Sequence, residues 1–253
     1  MPEFVKRDLT GSEFRSCNFV DVTMRAIEFN RVSIRGSELV DVDIQAEIGR
    51  LVVNGVDVGP LVEAELDRRY PDRARMRPTT PDGFREAWDT VERLWAGTVE
   101  RARRLGDPAL LHESVDGEWS FIETLRHLSF ATGSWVRRAI LGDPAPWDPL
   151  DLPWDDMEDT PGVPRDRAAR PSLDEALALR ESRMRTVREF VDGLDDETLA
   201  GDTTPVDGPG WPSARSFPVA ECLRVVLNEE WEHRLYAERD LAVLESRAKA
   251  GKA

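Results

Sequence analysis

The sequence lacks the features that mark membrane, secreted and nucleic-acid-binding proteins. No apolar run approaches the roughly 18 residues of a membrane span, and the start, Met1-Pro2-Glu3, lacks the layout of a signal peptide. Two cysteines among 253 residues are too few for a disulfide framework. The net charge of −15 would repel a phosphate backbone. We therefore expect a cytoplasmic protein that binds neither nucleic acid nor membrane.

The composition is that of a folded protein. With 40% hydrophobic and 33% charged residues, the chain is long enough for one full domain and an accessory one. Cys17 and Cys222 fall in different predicted domains, the first in a small inward position and the second on an apolar helix face. We expect both to be buried, unreactive thiols.

A strict period of five residues runs through the first 44 positions. Neither a helix nor a flat strand keeps such a spacing on one face, so the backbone must turn a corner every five residues. The residue two places before each bulky one is mostly small or apolar. An irregular amphipathic segment is the alternative, but it would have to match nine times in succession. The nine bulky residues are Phe4, Leu9, Phe14, Phe19, Met24, Phe29, Ile34, Leu39 and Ile44.

This period resembles that of the pentapeptide-repeat family. The resemblance implies a right-handed square β-helix with four pentapeptides per coil and with the bulky residue and its smaller partner stacked inside. Nine pentapeptides make little more than two coils, which cannot bury a continuous core without a neighbour. An exposed end leaves unpaired edge groups, a geometry that favours self-association into a homodimer.

The repeat is followed by a predicted connector. Residues 51–58 have the pattern of two short strands around an Asn-Gly turn. Pro60 then opens a helical stretch that ends near Tyr70. Residues 71–80, rich in arginine and proline, are typical of a linker into a second domain.

Four long helical segments follow, and their ends are marked by capping boxes and by glycine. They run from about Pro81 to Leu105, from Ser120 to Gly142, from Ser172 to Gly193, and from Ser216–Pro218 to about Arg247. Amphipathic helices of comparable length indicate a four-helix bundle. The long connection over 143–171 holds two tryptophans, so we expect it to be packed.

The predicted fold class is multidomain α+β, with a short N-terminal β-helix followed by a four-helix bundle. The repeat is assigned residues 1–47 and the strand-turn-helix connector residues 48–79. The bundle is assigned residues 80–248, and a disordered tail residues 249–253.

The fourth helix carries polar residues on its inner seam, which reads Val219, Cys222, Val226, Glu229, His233, Tyr236 and Asp240. Glu229 and His233 lie one turn apart, a spacing by which a helix offers two ligands to one metal ion. An ordinary surface pair has the same spacing. The seam favours the metal, because an unpaired carboxylate in a bundle core costs several kcal/mol. A third ligand must come from another helix. His127 lies in the middle of the second helix, whereas His112 precedes it in a predicted loop.

Several motifs of the helical part resemble the DinB-like superfamily and, more narrowly, its branch related to mycothiol-dependent isomerases and transferases. The resemblance covers roughly residues 80–247. The motifs are Glu118-Trp119-Ser120, Leu125-Arg126-His127-Leu128, Trp135-Val136-Arg137-Arg138, Gly142-Asp143-Pro144, Asn228 to Arg234, Tyr236, and Arg239-Asp240-Leu241. The resemblance implies a four-helix bundle with one divalent metal held by His127, Glu229 and His233. Glu229 stands where the family more often has histidine.

The same resemblance implies a chemistry. Zinc or nickel is the expected metal, and mycothiol or a similar low-molecular-weight thiol would be the cosubstrate that adds to a small electrophile. The sequence itself places Arg180 on the inner stripe of the third helix, between Leu177 and Met184. There it could clamp a carboxylate or phosphate of a substrate, or extend to solvent, and Trp154 or Trp211 could line a pocket. Asn228 and Asp240 could orient the histidines.

Two other functions remain open from the sequence. The helical bundle could be a non-catalytic binding module that has lost its metal and meets a partner through the repeat. Alternatively, it could be a hydrolase in which the metal activates water.

Overall fold

The structure is a computed structural model that describes residues 3–250 of the chain. The chain divides into two compact units, with the boundary between Ile48 and Gly49. The N-terminal unit holds the five-residue repeat, and the second unit holds a hairpin and the helices. The finer division of the second unit into a connector and a bundle stays a prediction.

The five-residue period is visible in the backbone of the N-terminal unit. Eight residues spaced five apart have a positive φ, between 49° and 77°, which places them in the left-handed region. They are Lys6, Gly11, Ser16, Asp21, Ala26, Arg31, Gly36 and Asp41. The chain therefore turns at each repeat, as its spacing predicts. Residues 3–48 contain no strand, however, so the structure does not show a β-helix.

The side chains of the repeat are not stacked in a core. The nine bulky residues are between 47% and 71% exposed, and Cys17 is exposed as well. Phe14 and Phe19, consecutive members of the series, meet edge to face with ring centroids 5.8 Å apart. The expectations of inward stacking and of a buried Cys17 therefore do not hold for the described residues. Successive coils must lie on one another to bury such residues, and the repeat has little more than two coils.

The second unit opens with the predicted hairpin, which is confirmed. β1 (Val52–Val53) pairs antiparallel with β2 (Val56–Asp57). Asn54 and Gly55 between them both have positive φ, as a two-residue hairpin turn requires. The helix α1 (Gly59–Arg69) follows and carries proline in its first turn.

The remaining elements are helical, and the prediction of a helical domain is confirmed. They are α2 (Pro81–Arg103), α3 (Phe121–Thr132), α4 (Leu173–Asp192), the short α5 (Asp196–Ala200) and α6 (Val219–Ala250), with 3-10 turns at Arg73–Met76 and Pro108–His112. α3 continues without a break as a π-helical segment, Gly133–Ile140. Between residues 3 and 250, no helix combines the length and hydrophobicity needed to cross a bilayer.

The ends of the helices follow from local chemistry. At the start of α3, the hydroxyl of Ser120 accepts from the backbone N–H of Glu123, whose carboxylate accepts from the N–H of Ser120. Ser172 and Glu175 form the same capping box at α4. The last helix is longer than the sequence predicts: it includes Lys249 and Ala250, which belong to the predicted disordered tail. The other three residues of that tail lie outside the described part.

The four long helices pack pairwise. α3 packs against α4 and α6, and α2 packs against the same two helices. Phe84, Trp88, Leu125, Leu128 and Leu223 are almost fully buried between them. This packing places the middle of α3 beside the middle of α6, where the predicted ligands lie.

Two buried arginines hold the long connections. Arg126 of α3 donates to the carbonyl oxygens of Leu150, Asp166 and Ala169, all within the 143–171 connection. Arg138, in the π-helical segment, donates to carbonyl oxygens of two loops, at Pro144 in one and at Val206, Gly208 and Pro212 in the other. The connection over 143–171 is therefore packed, as its tryptophans predict.

Candidate metal centre

Three side chains from two helices converge at the edge of the bundle. His127 comes from the middle of α3, and Glu229 and His233 come from successive turns of α6. One ligand atom from each lies within 4.8 Å of the other two, a spacing that could hold a metal ion. His127 is buried, whereas the side chains of Glu229 and His233 are 30% and 20% exposed. The centre therefore faces solvent from the α6 side.

Hydrogen bonds fix which nitrogen of His127 faces this centre. Its Nδ1 lies 3.0 Å from the carbonyl oxygen of Leu152. A carbonyl oxygen can only accept, so Nδ1 carries the proton and donates it. Nε2 lies 3.2 Å from Oε2 of Glu229, and Nε2 of His233 lies 3.0 Å from the same oxygen.

The electrostatics of the cluster call for a cation. Burial lowers the pKa of His127, although its contact with Glu229 opposes the change. Burial alone would raise the pKa of Glu229, but the two histidines outweigh it and hold that pKa well below its usual range. When His127 carries a single proton, on Nδ1, the lone pair of its Nε2 points at the ionised carboxylate of Glu229. That contact is repulsive unless a proton or a metal ion lies between the two atoms.

The donor set also fits a metal ion. Two imidazole nitrogens and one carboxylate oxygen are ligands that zinc and related divalent ions accept. Neighbouring ligand atoms around a cation with bonds of about 2.1 Å lie about 3.0 to 3.4 Å apart. The two distances to Oε2 of Glu229, 3.2 and 3.0 Å, fall in that range. Three protein ligands leave a position open for a small molecule.

Aromatic rings surround the two histidines. Trp119 stacks almost parallel to His233, with centroids 5.6 Å apart, and also contacts His127 at 4.4 Å. Tyr236 meets His233 edge to face at 5.9 Å. The indole N–H of Trp119 donates to the carboxylate of Asp155. The sequence gives Trp119 no role of its own, and its place in the Glu118-Trp119-Ser120 motif is the signal that could have pointed to it.

Trp154 and Trp211 lie farther from the centre. Trp154 contacts Phe130 with centroids 6.3 Å apart, and Phe130 in turn lies 6.2 Å from His127. Trp211 meets Trp154 edge to face at 4.9 Å. One aromatic ring therefore separates Trp154 from the nearest histidine, and its assignment to a substrate pocket stays a prediction.

Arg180 is neither a substrate clamp nor a residue that extends to solvent. It is almost fully buried, and its guanidinium donates two hydrogen bonds to the carboxylate of Glu230. It also lies over the ring of Trp95, 4.6 Å from the centroid. The sequence places Arg180 correctly on the inner face of α4, but it does not reveal the buried partner that occupies it.

The predicted orienting residues do not contact His127. Both of its ring nitrogens are occupied, by the carbonyl of Leu152 and by Glu229. Asn228 is exposed, and Asp240 accepts from Arg239 at 2.7 Å. A backbone carbonyl from the 143–171 connection therefore takes the role expected of a side chain. His112 ends a 3-10 turn and is not part of the cluster.

A family comparison covers the same region. The model of the DinB superfamily matches residues 90–237, more than half of the chain. The chain belongs to the DinB superfamily. No curated protein and no solved structure matches it. The DinB match includes His127, Glu229 and His233, so the whole candidate centre lies within the part of the chain assigned to the superfamily.

Proposed function

We propose that this DinB protein binds a divalent cation, zinc or nickel, through His127, Glu229 and His233, and transfers a low-molecular-weight thiol of the mycothiol type to small electrophiles. The orientation of His127 is the observation that supports metal binding. Its Nδ1 proton is held by Leu152, so its Nε2 lone pair faces the carboxylate of Glu229 at 3.2 Å. A cation between these atoms turns a repulsive contact into two favourable ones.

The surroundings support thiol chemistry at a metal. A bound divalent cation with an open position lowers the pKa of a thiol, so that a nucleophile forms near neutral pH. Glu229 neutralises one unit of the metal's charge, which leaves a net positive site for a thiolate. Trp119, half-buried, and Tyr236, 40% exposed, flank His233 and offer apolar surface to the carbon skeleton of an electrophile.

The N-terminal unit is the second part of the proposal. Its positive φ at every fifth residue and its nine bulky residues support membership of the pentapeptide-repeat family. We propose a cytoplasmic location, and that the repeat acts as an accessory for docking or for self-association into a homodimer while the chemistry stays with the helical unit.

The metal is tested by elemental analysis of protein purified without affinity-tag nickel. We expect about one zinc or nickel ion per chain, and none after His233→Ala. His112→Ala is the matched control, because His112 is the histidine outside the cluster, and it should keep the metal. A Glu229→His variant should bind zinc or nickel more tightly. A metal-free wild type that takes up neither added zinc nor added nickel would overturn the metal proposal.

The transfer is tested by thiol consumption. The metal-loaded protein should consume a low-molecular-weight thiol in the presence of chlorodinitrobenzene, and His233→Ala should not. Metal without thiol consumption would favour the hydrolase alternative, and the absence of both would favour the binding module.

A further inference from the structure

A short stretch of the 143–171 connection lies directly against α3. The carbonyl oxygen of Leu150 accepts from the guanidinium of Arg126 at 2.7 Å. The N–H of Leu152 donates to the backbone carbonyl of Arg126, and the carbonyl of Leu152 accepts from Nδ1 of His127. Residues 150–152 therefore decide how the imidazole of His127 is held.

Every residue has a backbone carbonyl, so the Leu152 carbonyl is distinguished only by its direction. That direction is set by the neighbours of Leu152. Asp151 lies between the two leucines and is completely buried. Its Oδ2 accepts from the N–H of Asp148 at 2.9 Å and from the guanidinium of Arg183, on α4, at 3.0 Å. Its own N–H donates to the carbonyl of Asp148. These bonds close a tight turn and tie it to α4.

The Asp151–Arg183 pair is poorly suited to stabilising the fold. Among the described residues, Oδ1 of Asp151 and Nε of Arg183 have no hydrogen-bond partner. Arg180, one turn away from Arg183 on α4, forms a buried pair with Glu230 of α6 in which both carboxylate oxygens accept. An incompletely bonded buried pair returns little of its desolvation cost. What the pair supplies is geometric: it fixes the direction of residues 150–152.

We infer that Asp151 and Arg183 are positioning residues for the metal centre: together they fix the Leu152 carbonyl, which holds the Nδ1 proton of His127 and aims Nε2 at Glu229. The inference rests on the proposed function, since the centre that it serves is the same. It places the support of one ligand on α4, a helix that contributes no ligand itself. Outer partners of metal-bound histidines commonly change metal affinity by 10- to 100-fold.

The decisive measurement is the tautomer of His127 in the metal-free protein. Long-range proton–nitrogen NMR at pH 8 distinguishes a ring protonated on Nδ1 from one protonated on Nε2. We expect the Nδ1–H form in the wild type. In Arg183→Met we expect a mixture or the Nε2–H form, which would donate to Glu229 instead.

Zinc affinity is the second measurement, made by competition with a chelating indicator. Arg183→Met should weaken binding by about 10-fold or more. Because this variant leaves a buried carboxylate unpaired, Asp151→Leu/Arg183→Met is made beside it. Removing both charges should recover thermal stability but not the tautomer or the affinity. Recovery of all three would overturn the inference.

Arg101→Met is the matched control. Arg101 pairs with Glu238 and Glu245 of α6, the helix that carries two ligands, but it does not contact residues 150–152. It should lose stability yet keep the Nδ1–H tautomer and a zinc affinity within twofold of wild type. If it weakens zinc as much as Arg183→Met, the effect is general loosening and the inference fails.

The two proposals fail in different ways. A wild type that binds no zinc but holds His127 as Nδ1–H, with the tautomer lost in Arg183→Met, would end the proposed function and keep the positioning role. A wild type that binds zinc, with both the tautomer and the affinity unchanged in Arg183→Met, would keep the metal site of the proposed function and overturn the positioning role.

Discussion

The two units of the chain use similar apolar residues with opposite results. In the N-terminal unit Phe14 is 59% exposed, and in the helical unit Phe84 is 1% exposed. The backbone follows its sequence period in both: a corner at every fifth residue in the first, and helices in the second. The difference is that each helix has others to cover its apolar face, whereas a short repeat has few layers to stack. Periodicity sets the path of a backbone, but burial depends on what is available to cover it.

The largest test of this comparison is a pair of identical substitutions. Phe84→Ala should lower the free energy of unfolding of the helical unit by about 3 to 5 kcal/mol, because it leaves a cavity in a packed core. Phe14→Ala should cost less than about 1 kcal/mol, since most of that ring is already in contact with water. Urea unfolding measures both. A cost for Phe14→Ala as large as that for Phe84→Ala would show that the repeat has a closed core.

The second test compares two aspartates with opposite pKa shifts. Burial raises the pKa of Asp151 to about 6, with Arg183 opposing, whereas a hydrogen bond from the Thr10 side chain lowers the pKa of exposed Asp8. The folded state thus keeps the proton on Asp151 at a pH where the unfolded state has lost it. Stability from this group should fall by about 3 kcal/mol in all as the pH rises from about 3 to about 7, since the pKa is raised by about two units and one unit is worth about 1.4 kcal/mol.

Asp151→Asn removes that slope, so the difference in unfolding free energy between wild type and variant, measured from about pH 3 to about 7, isolates it. Asp8 has the opposite sign: its contribution is lost as the pH falls. Carbon NMR of the two carboxyl groups should give a pKa near 6 for Asp151 and one below the usual aspartate value for Asp8. A normal midpoint at Asp151 would mean that the turn at 148–151 is open to water.

The smallest effect concerns the two thiols. Cys222 is fully buried, and burial raises its pKa to about 12, whereas Cys17 is exposed. Ellman's reagent should therefore label one thiol in the native protein and two in guanidinium, with Cys17→Ser leaving none in the native state. If neither thiol reacts in native protein, Cys17 lies inside a stacked coil, as the repeat pattern predicts.

The sequence was most informative where the chemistry is local. Ser120 with Glu123 and Ser172 with Glu175 predict the starts of α3 and α4, because capping needs only neighbours along the chain. The meeting of Glu229 and His233 follows from one helical turn. The approach of His127 depended on family resemblance, since the packing of α3 on α6 is not a local property.

The features that the sequence did not predict depend on partners far away in the chain. Arg180 pairs with Glu230, which directly follows the predicted ligand Glu229. The sequence alone does not tell which of these two glutamates meets an arginine of α4. The carbonyl of Leu152 is invisible in a sequence, since every residue has one. The exposure of the repeat could not be read from its period either, because the same period describes a stacked coil and an open one.

Arg138 has a consequence for how the molecule tolerates change. Its one guanidinium donates hydrogen bonds to carbonyl oxygens of the segment at Pro144 and of the separate loop at 206–212. A Cβ added at Gly210 would lie 2.7 Å from the guanidinium carbon, so that loop fits closely around it. Substitutions in the two loops share this anchor, and their energetic effects should not simply add. Substitutions in the two loops are therefore expected to be energetically coupled, although the loops lie more than sixty residues apart in sequence.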